Sequence, residues 1–292
     1  MHYLFASGFF GNPPVRTALL VGTVIAITSA VTGVFTVTRG QSFAGHSLAD
    51  IATTGGSGAF LVGLNQFWGY LAFGVGAALF MELIGVQRRR GRDVATGVVL
   101  GGGLGLAALF LYLGTQRTST GGASFTILFG SIFVLTSSTV PYLIVSAVLA
   151  LGIVVTLARV LLLSSLSPDI AAARGVPVRL TGAVYLVALA ISVALSAVII
   201  GAVLSTALLI GPAATALRLT TGPVRSMLTA AAIGVAATWV GVWLAYDSYT
   251  WPPAGHGWPV SFFVVALVVG GYLVTFFRRD RHGRREPQCS PA

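Results

Sequence analysis

Long apolar runs separated by short polar stretches dominate this sequence, and most of them have the length of a membrane-spanning helix. An α-helix needs about 20 apolar residues to cross the hydrocarbon core of a bilayer. About nine runs of this kind follow one another. They predict transmembrane helices at residues 17–38, 45–64, 67–85, 94–113, 142–163, 181–200, 202–217, 227–245 and 260–277. The predicted fold class is therefore an all-α polytopic membrane protein.

A tenth apolar run, residues 125–135, is too short to be a further span and is followed by Ser137, Ser138 and Pro141. We interpret it as a partial or surface helix on the outer side of the membrane. The glycines Gly97, Gly101 and Gly105, which recur at helical spacing, predict close packing of the fourth span against another helix.

The stretch between Arg179 and Arg218 carries no charge and is too long for one span. We expect it to cross, turn at Gly201 and cross back. Gly211 and Pro212 then predict a break or kink in the returning helix. Irregular helices inside a membrane are tolerated where they line protein or a cavity, so this break is a candidate part of a transport pathway.

The arginines orient the predicted bundle, because basic residues accumulate in cytoplasmic loops. With nine crossings and the N-terminus outside, fifteen of the seventeen basic residues lie inside, and the C-terminus is inside as well. The inside residues are Arg39, Arg88, Arg89, Arg90, Arg92, Arg159, Arg174, Arg179, Arg218, Arg225, Arg278, Arg279, Arg281, Arg284 and Arg285. Only Arg16 and Arg117 lie outside.

The composition supports one membrane domain with little outside it. Hydrophobic residues make up 55% of the chain and charged residues 8%, against roughly 25% charged in soluble proteins. We expect a single transmembrane domain at 1–277 and an arginine-rich, disordered cytoplasmic tail at 278–292 that contacts lipid. The net charge of +10 is explained by membrane orientation, so we expect no nucleic-acid partner. Since all 17 basic residues are arginine, the chain lacks the lysine of a nucleotide-binding P-loop.

His46 and Asp50 lie near the start of the second apolar run. Residues four apart share one face of a helix, and ionisable side chains within a bilayer are costly and mark functional sites. An imidazole beside a carboxylate is a suitable ligand pair for zinc, manganese or iron(II), while the absence of cysteine from the predicted spans disfavours Cu(I). The alternative is a hydrogen bond that stabilises the helix end without metal.

Two further polar residues have simpler interpretations. Glu82 precedes Arg88, Arg89 and Arg90 and is expected to form an ion pair near the membrane surface. His256 lies in the last outer loop among tryptophans typical of a membrane interface, and it is a weaker candidate for contact with metal.

The longest interior loop predicts a short capped helix at about residues 167–175. Ser167 has the character of an N-cap, Pro168 of the first helical residue and Asp169 of a first-turn acid. Gly175 ends the helix shortly before Pro177. A helix of two turns is unstable alone, so it either docks against a partner or rests on the membrane as a connector.

Four segments resemble, in the same order along the chain, the permease subunits of the ABC-3 family, which are membrane components of ABC importers for zinc, manganese or iron. Residues 41–50 are similar to the family motif at the start of the second span. Residues 128–132, Leu-Phe-Gly-Ser-Ile, are similar to its Leu-Phe-Gly segment, and residues 208–216 to its Leu-Leu-Ile-x-Pro-Ala-Ala-Thr-Ala run. The loop at 167–177 resembles its coupling helix.

This resemblance implies a type II importer architecture in the inner, or cytoplasmic, membrane. Two permease subunits, as a homodimer or heterodimer, would form the pathway, and an extracytoplasmic metal-binding protein would deliver the substrate. A separate cytoplasmic ABC ATPase would bind the coupling residues Ser167, Pro168, Asp169, Arg174, Gly175 and Pro177. No cofactor is expected on this chain, because the divalent metal ion is the transported substrate.

The second-span motif departs from the family in one respect. Many members have Gly-Asp-x-x-x-His, whereas here Gly45 is followed by His46 and the acid is Asp50. The two ligand types are exchanged on the same helical face, which leaves the metal preference open.

Two other functions remain open at this point. An intramembrane enzyme would use His46 and Asp50 as a general-base pair, with only Ser42 and Ser47 nearby as nucleophiles. A stand-alone cation-coupled carrier would need intramembrane carboxylates, for which Asp50 and Glu82 are the candidates.

Overall fold

The computed structural model describes residues 9–83, 92–118, 121–130, 132–251 and 257–283. Within these residues the fold is all-α. The helices are α1 (Pro13–Thr38), α2 (Ser42–Val62), α3 (Gln66–Leu83), α4 (Arg92–Thr118), α5 (Gly121–Phe129), α6 (Val140–Leu166), α7 (Pro168–Ala173), α8 (Val178–Ile200), α9 (Ser205–Leu219), α10 (Pro223–Ser248) and α11 (Val260–Gly283). The all-α prediction is confirmed, and every predicted span overlaps a helix of 15 residues or more.

The apolar character of these helices fits a membrane. Five of the described helices are long and apolar enough by themselves to cross a bilayer, namely α1, α6, α8, α10 and α11, and α9 is a shorter apolar helix. The helix α1 is the centre of the bundle, since it packs against α6, α8, α9 and α10. Most of α1 and α8 is buried, whereas α6, α10 and α11 leave broad apolar faces exposed.

Side-chain contacts sort the helix termini into two opposite ends of the bundle. At one end, Arg39 after α1 reaches Ser164 near the end of α6, and Arg179 near the start of α8 pairs with Glu82 at the end of α3. We call this the arginine end. If consecutive spans cross the membrane in alternate directions, the ends of α1, α3 and α6 and the start of α8 lie on the same side. The observed grouping agrees with this expectation.

The other end, which we call the glycine end, is defined by two contacts between segments. Asn65 before α3 donates to the hydroxyl of Thr139 before α6, and Gly130 after α5 meets Gly201 after α8. Which end faces the cytoplasm remains a prediction from the arginines.

The short helix α5 has nine residues, or about 14 Å of length, which is less than half the hydrocarbon thickness. It therefore agrees with the predicted partial helix. It is held at the glycine end by backbone hydrogen bonds from Ala202 to Ile127 and from Val203 to Leu128. A Cβ on Gly130 or Gly201 would overlap the backbone of the other segment, and both glycines have positive φ. The predicted turn at Gly201 is thus confirmed, and the Leu-Phe-Gly segment has a packing role.

The helix α9 continues through Gly211 and Pro212, so the predicted break is wrong, whereas the predicted kink remains a prediction. Proline removes one backbone donor, and membrane helices tolerate this when neighbours pack closely around the site. Pro212 is buried, and Gly211 lies against Val268 of α11 at a point where a Cβ would overlap that side chain. The glycine therefore permits close approach of two helices.

The glycine ridge of α4 faces open space among the described residues, so its predicted close packing against another helix remains a prediction. A Cβ on Gly97, Gly101 or Gly105 would meet no atom within 4 Å, so these glycines make no close contact within this chain. Gly103, on another face of α4, instead packs against Ile51 and Thr54 of α2. At the C-terminus, α11 continues to Gly283, past the predicted domain boundary at Phe277.

Candidate functional site

A tight turn places the candidate metal residues at the start of α2. The chain leaves α1 through Gly40, whose φ is +63°. The N–H of Gly40 donates to the carbonyl of Val37, and the N–H of Gln41 donates to that of Thr36. This pair of bonds is a Schellman motif, which satisfies the last carbonyls of a helix. The helix α2 then begins at Ser42, so His46 lies in its second turn.

His46 and Asp50 are neighbours, as their spacing predicts. The Nε2 atom of His46 lies 3.6 Å from Oδ2 of Asp50. The two side chains differ in burial, because His46 is 46% exposed and Asp50 only 8% exposed. The buried Oδ2 atom of Asp50 has no hydrogen-bond partner. A buried carboxylate oxygen without a partner is costly, and a cation bound between the two residues would relieve this cost.

The polar face continues from Asp50 along α2 towards the glycine end. Thr53, Thr54 and Ser57 follow at helical spacing and are all buried. The hydroxyls of Thr53 and Ser57 donate to carbonyls of their own helix. The hydroxyl of Thr54 lies 2.7 Å from the carbonyl of Gly103 in α4 and 3.2 Å from that of Asp50. Thr54 therefore joins the site helix to α4 one turn beyond Asp50.

One chain supplies only two ligands at this position. Among the described residues, no group of three or more His, Cys, Asp or Glu side chains could hold a metal ion together. His256 lies outside the described residues. Glu82 forms an ion pair with Arg179, with 3.6 Å between Oε1 and Nε, which agrees with the predicted ion-pair role, although Arg88, Arg89 and Arg90 lie outside the described residues.

The predicted short helix in the interior loop is present as α7. Pro168 is its first residue, and Gly175 ends it with φ +76° and a second Schellman motif, in which Gly175 and Val176 donate to Ala172 and Ala171. Ser167 occupies the N-cap position, as predicted, although its hydroxyl makes no capping bond. Its carbonyl instead accepts from the N–H of Ala171.

The helix α7 projects from the bundle. It packs mainly on the arms that flank it, α6 and α8, and Ala171 is its buried anchor. Asp169, Ile170 and Arg174 are exposed, and Pro177 occupies the N-cap position of α8. An exposed apolar and charged ridge at a helical corner is suited to contact with another protein.

Comparison with known proteins now decides the family. The sequence profile of the ABC 3 transport family matches residues 13–273. This chain belongs to the ABC 3 transport family.

Two relatives agree with this assignment, and a solved structure has a similar fold. The chain is 28% identical over 243 residues to the manganese transport system membrane protein MntC of Listeria innocua, covering 83% of this chain and 85% of that protein. It is 25% identical over 206 residues to the high-affinity zinc uptake system membrane protein ZnuB of Haemophilus influenzae, covering 70% and 78%. A chain of PsaBC from Streptococcus pneumoniae, solved in complex with Fab, has a similar fold, with a TM-score of 0.78, 24% identity and coverage of 92% and 93%.

In this ABC 3 family chain, sequence reasoning missed a set of buried hydroxyl pairs that join α1 to α8. Three pairs lie in register along the two helices: Ser29 with Ser196 at 2.6 Å, Thr32 with Ser192 at 3.0 Å, and Thr36 with Tyr185 at 2.8 Å. Their signal in the sequence is the recurrence of small polar residues every three or four positions in an apolar run. Such residues hydrogen-bond between membrane helices.

Proposed function

We propose that this chain is the permease subunit of an ABC importer for a divalent transition-metal ion, with zinc, manganese and iron as the candidates, in the cytoplasmic membrane. Its metal pathway includes His46 and Asp50. ATP is hydrolysed by a separate cytoplasmic subunit, and no cofactor is required on this chain. The family assignment supports a transport subunit over an enzyme or a stand-alone carrier. The enzyme alternative is further weakened because Ser47 is fully buried and its hydroxyl donates to the carbonyl of Phe43.

The observation that carries the proposal is the unpartnered oxygen of Asp50 beside a half-exposed imidazole. Two ligands about 2.0–2.2 Å from one tetrahedral ion are roughly 3.3 Å apart. The separation of 3.6 Å between His46 and Asp50 is close to this value, so little movement is needed for both to bind one ion.

A second permease subunit would complete the site. A symmetric partner adds another histidine and aspartate, which makes four ligands. The helix α4 is tied to α2 beside the site through Thr54, and its outward glycines at 97, 101 and 105 have open space around them. Small residues let membrane helices approach closely. We infer that this face of α4 is where the second permease packs.

The helix α7 is proposed as the coupling helix for the ATPase. Its exposed ridge of Asp169, Ile170 and Arg174 is available to a partner, and Gly175 fixes its end. This assignment makes the arginine end cytoplasmic, in agreement with the distribution of arginines, and leaves the glycine end to an extracytoplasmic metal-binding protein.

ATP-driven uptake into proteoliposomes tests the function directly. The chain is reconstituted with the ATPase that co-purifies with it, so that the coupling end and the ATP are outside the vesicle. The metal and the extracytoplasmic metal-binding protein are enclosed in the lumen. We expect movement of radioactive zinc, manganese or iron that requires ATP and stops when the ATPase is omitted. Movement that is unchanged without ATP would favour a stand-alone carrier, and no movement of any of the three ions would reject the proposal.

A further inference from the structure

Arg39 contacts both arms of the corner that carries α7. We call the end of α6, the helix α7 and the start of α8 the coupling elbow. The Nη1 atom of Arg39 donates to the hydroxyl of Ser164 at 2.9 Å and lies 3.5 Å from the carbonyl of Leu161, both on the arm before α7. The guanidinium carbon lies 5.4 Å from the ring centroid of Tyr185, on the arm after α7.

The contact with Tyr185 is embedded in the bundle. Tyr185 is fully buried, and its hydroxyl lies 2.8 Å from the hydroxyl of Thr36 and 3.3 Å from the carbonyl of Thr32 in α1. A cation within about 6 Å of an aromatic ring centroid is attracted to its face, most strongly where water is excluded. Arg39 and Tyr185 therefore form one unit that fixes the elbow to the end of the central helix.

Arg39 is also the residue at which α1 ends and the turn to the site helix begins. Its N–H donates to the carbonyl of Phe35, and the next two N–H groups make the Schellman bonds of Gly40 and Gln41. Ser42 then starts α2. A short, fully hydrogen-bonded turn thus connects the residue that holds the elbow to the helix that carries His46.

We propose that Arg39 is a positioning residue that transmits movement of the coupling elbow to the metal-site helix. The inference rests on the function proposed above, in which α7 binds the ATPase and His46 contacts the ion. Displacement of the elbow relative to α1 must either break the contacts of Arg39 or move the turn with them. A contiguous network of packed side chains and hydrogen bonds can carry such coupling between two sites.

Substitution of Arg39 by lysine distinguishes the proposed positioning role from a role of its positive charge in orienting the protein in the membrane. If Arg39 served only as a cytoplasmic positive charge, Arg39→Lys would have no effect. Lysine lacks the planar fork with which arginine stacks on a ring and donates to a hydroxyl at the same time. The measured quantity is the number of zinc or manganese ions moved per ATP hydrolysed, in proteoliposomes that contain the permease and its ATPase.

We expect Arg39→Lys to retain ATPase binding and ATP hydrolysis but to lower the ratio of metal to ATP by between about twofold and thirtyfold. Tyr185→Leu should do the same, whereas Tyr185→Phe, which retains the ring, should have a smaller effect. The matched control is Arg16→Lys at the opposite end of α1, where the side chain is exposed, and it should leave the ratio unchanged.

The double variant tests whether the two residues act as a unit. The combination of Arg39→Lys with Tyr185→Leu should lower the ratio no more than the larger single change, because contacting residues are non-additive. A wild-type ratio in Arg39→Lys, or effects that multiply in the double variant, would overturn the inference while leaving the importer function intact. A wild-type complex without ATP-driven movement of metal would instead contradict the proposed function.

Discussion

At the scale of single residues, the exchange of acid and imidazole in the second helix raises a specific question about the metal site. His46 and Asp50 occupy the helical face that the resemblance predicts, but in the reverse order. His46 is the more exposed of the two and Asp50 the more buried. The reversal therefore places the charged ligand in the drier position.

Exchange of the two residues is the residue-scale prediction. The double variant His46→Asp with Asp50→His restores the order found in many family members and keeps both ligand types on one face. We expect it to transport more metal than either single variant, and to change the relative uptake of zinc and manganese, because the carboxylate then lies in the more hydrated position. The measurement is the uptake of zinc, manganese and iron, in competition with one another, by the single and double variants.

One outcome would contradict the view that His46 and Asp50 are exchangeable ligands. A double variant that is as inactive as the two singles, although present in the membrane at the wild-type level, would mean that these residues act through contacts that depend on their order and do not act as exchangeable ligands.

The pairing of His46 with Asp50 could be predicted because helical spacing alone brings them together. The absence of a hydrogen-bond partner for Oδ2 of Asp50 could not be predicted, because it depends on how α2 is covered by its neighbours. The contact of Thr54 with Gly103 was missed for the same reason. The sequence offered several glycines in α4, and only the packing of two helices decides which of them faces inwards.

At the scale of elements, α7 is the part of the molecule whose local sequence signals were most complete. Pro168 begins it and Gly175 ends it, as predicted, since both residues have intrinsic backbone preferences. Ser167 takes the predicted N-cap position, but its hydroxyl makes no capping bond, because side-chain rotation is not fixed by sequence. The predicted break at Pro212 failed because packing around α9 compensates for one missing donor, and this compensation is a tertiary effect.

The positive φ of Gly175 gives a prediction with an internal control. A Cβ at this position would meet no atom within 4 Å, so any effect of substitution comes from the backbone. Gly175→Val forces a β-branched residue into the left-handed region, at a cost of about 1–2 kcal/mol, and should weaken binding of the ATPase. Gly175→Asn should be close to neutral, because asparagine tolerates this conformation. Co-purification of the ATPase with each variant measures the difference.

Equal binding of the ATPase by the valine and asparagine variants, with both permeases present at wild-type levels, would show that the end of α7 does not position a partner. The interior loop would then be a connector.

At the scale of the whole molecule, the outward glycines of α4 predict which face joins two permeases. Gly101→Leu should disrupt the dimer, because a large side chain would prevent close approach of the two helices. Gly152 on α6 is the matched control, since it is also surrounded by open space but lies on a helix away from the metal-site pair. Gly152→Leu should leave the dimer intact. Cross-linking in membranes compares the two variants, and dimers of equal yield would remove α4 from the interface.

The order of the helices and their all-α character could be predicted at this scale, since apolar runs of the right length have few alternatives in a membrane. The central position of α1 could not, because α1 and the peripheral α6 have similar apolar character in the sequence. What distinguishes α1 from α6 is the set of hydroxyls of Ser29, Thr32 and Thr36 that join α1 to α8, and their role becomes apparent only in the structure.

The measurement that tests the central claim most directly is ATP-driven transport of radioactive metal by His46→Ala and Asp50→Asn, normalised to the amount of permease in the membrane. The account predicts that each single variant lowers normalised transport strongly and that the double variant is hardly worse, because ligands of one ion act as a unit. Ser57→Ala, on the same helix face, should transport normally. Normal transport per molecule in both single variants, with only the abundance of the protein reduced, would contradict the account and leave His46 and Asp50 as a structural pair.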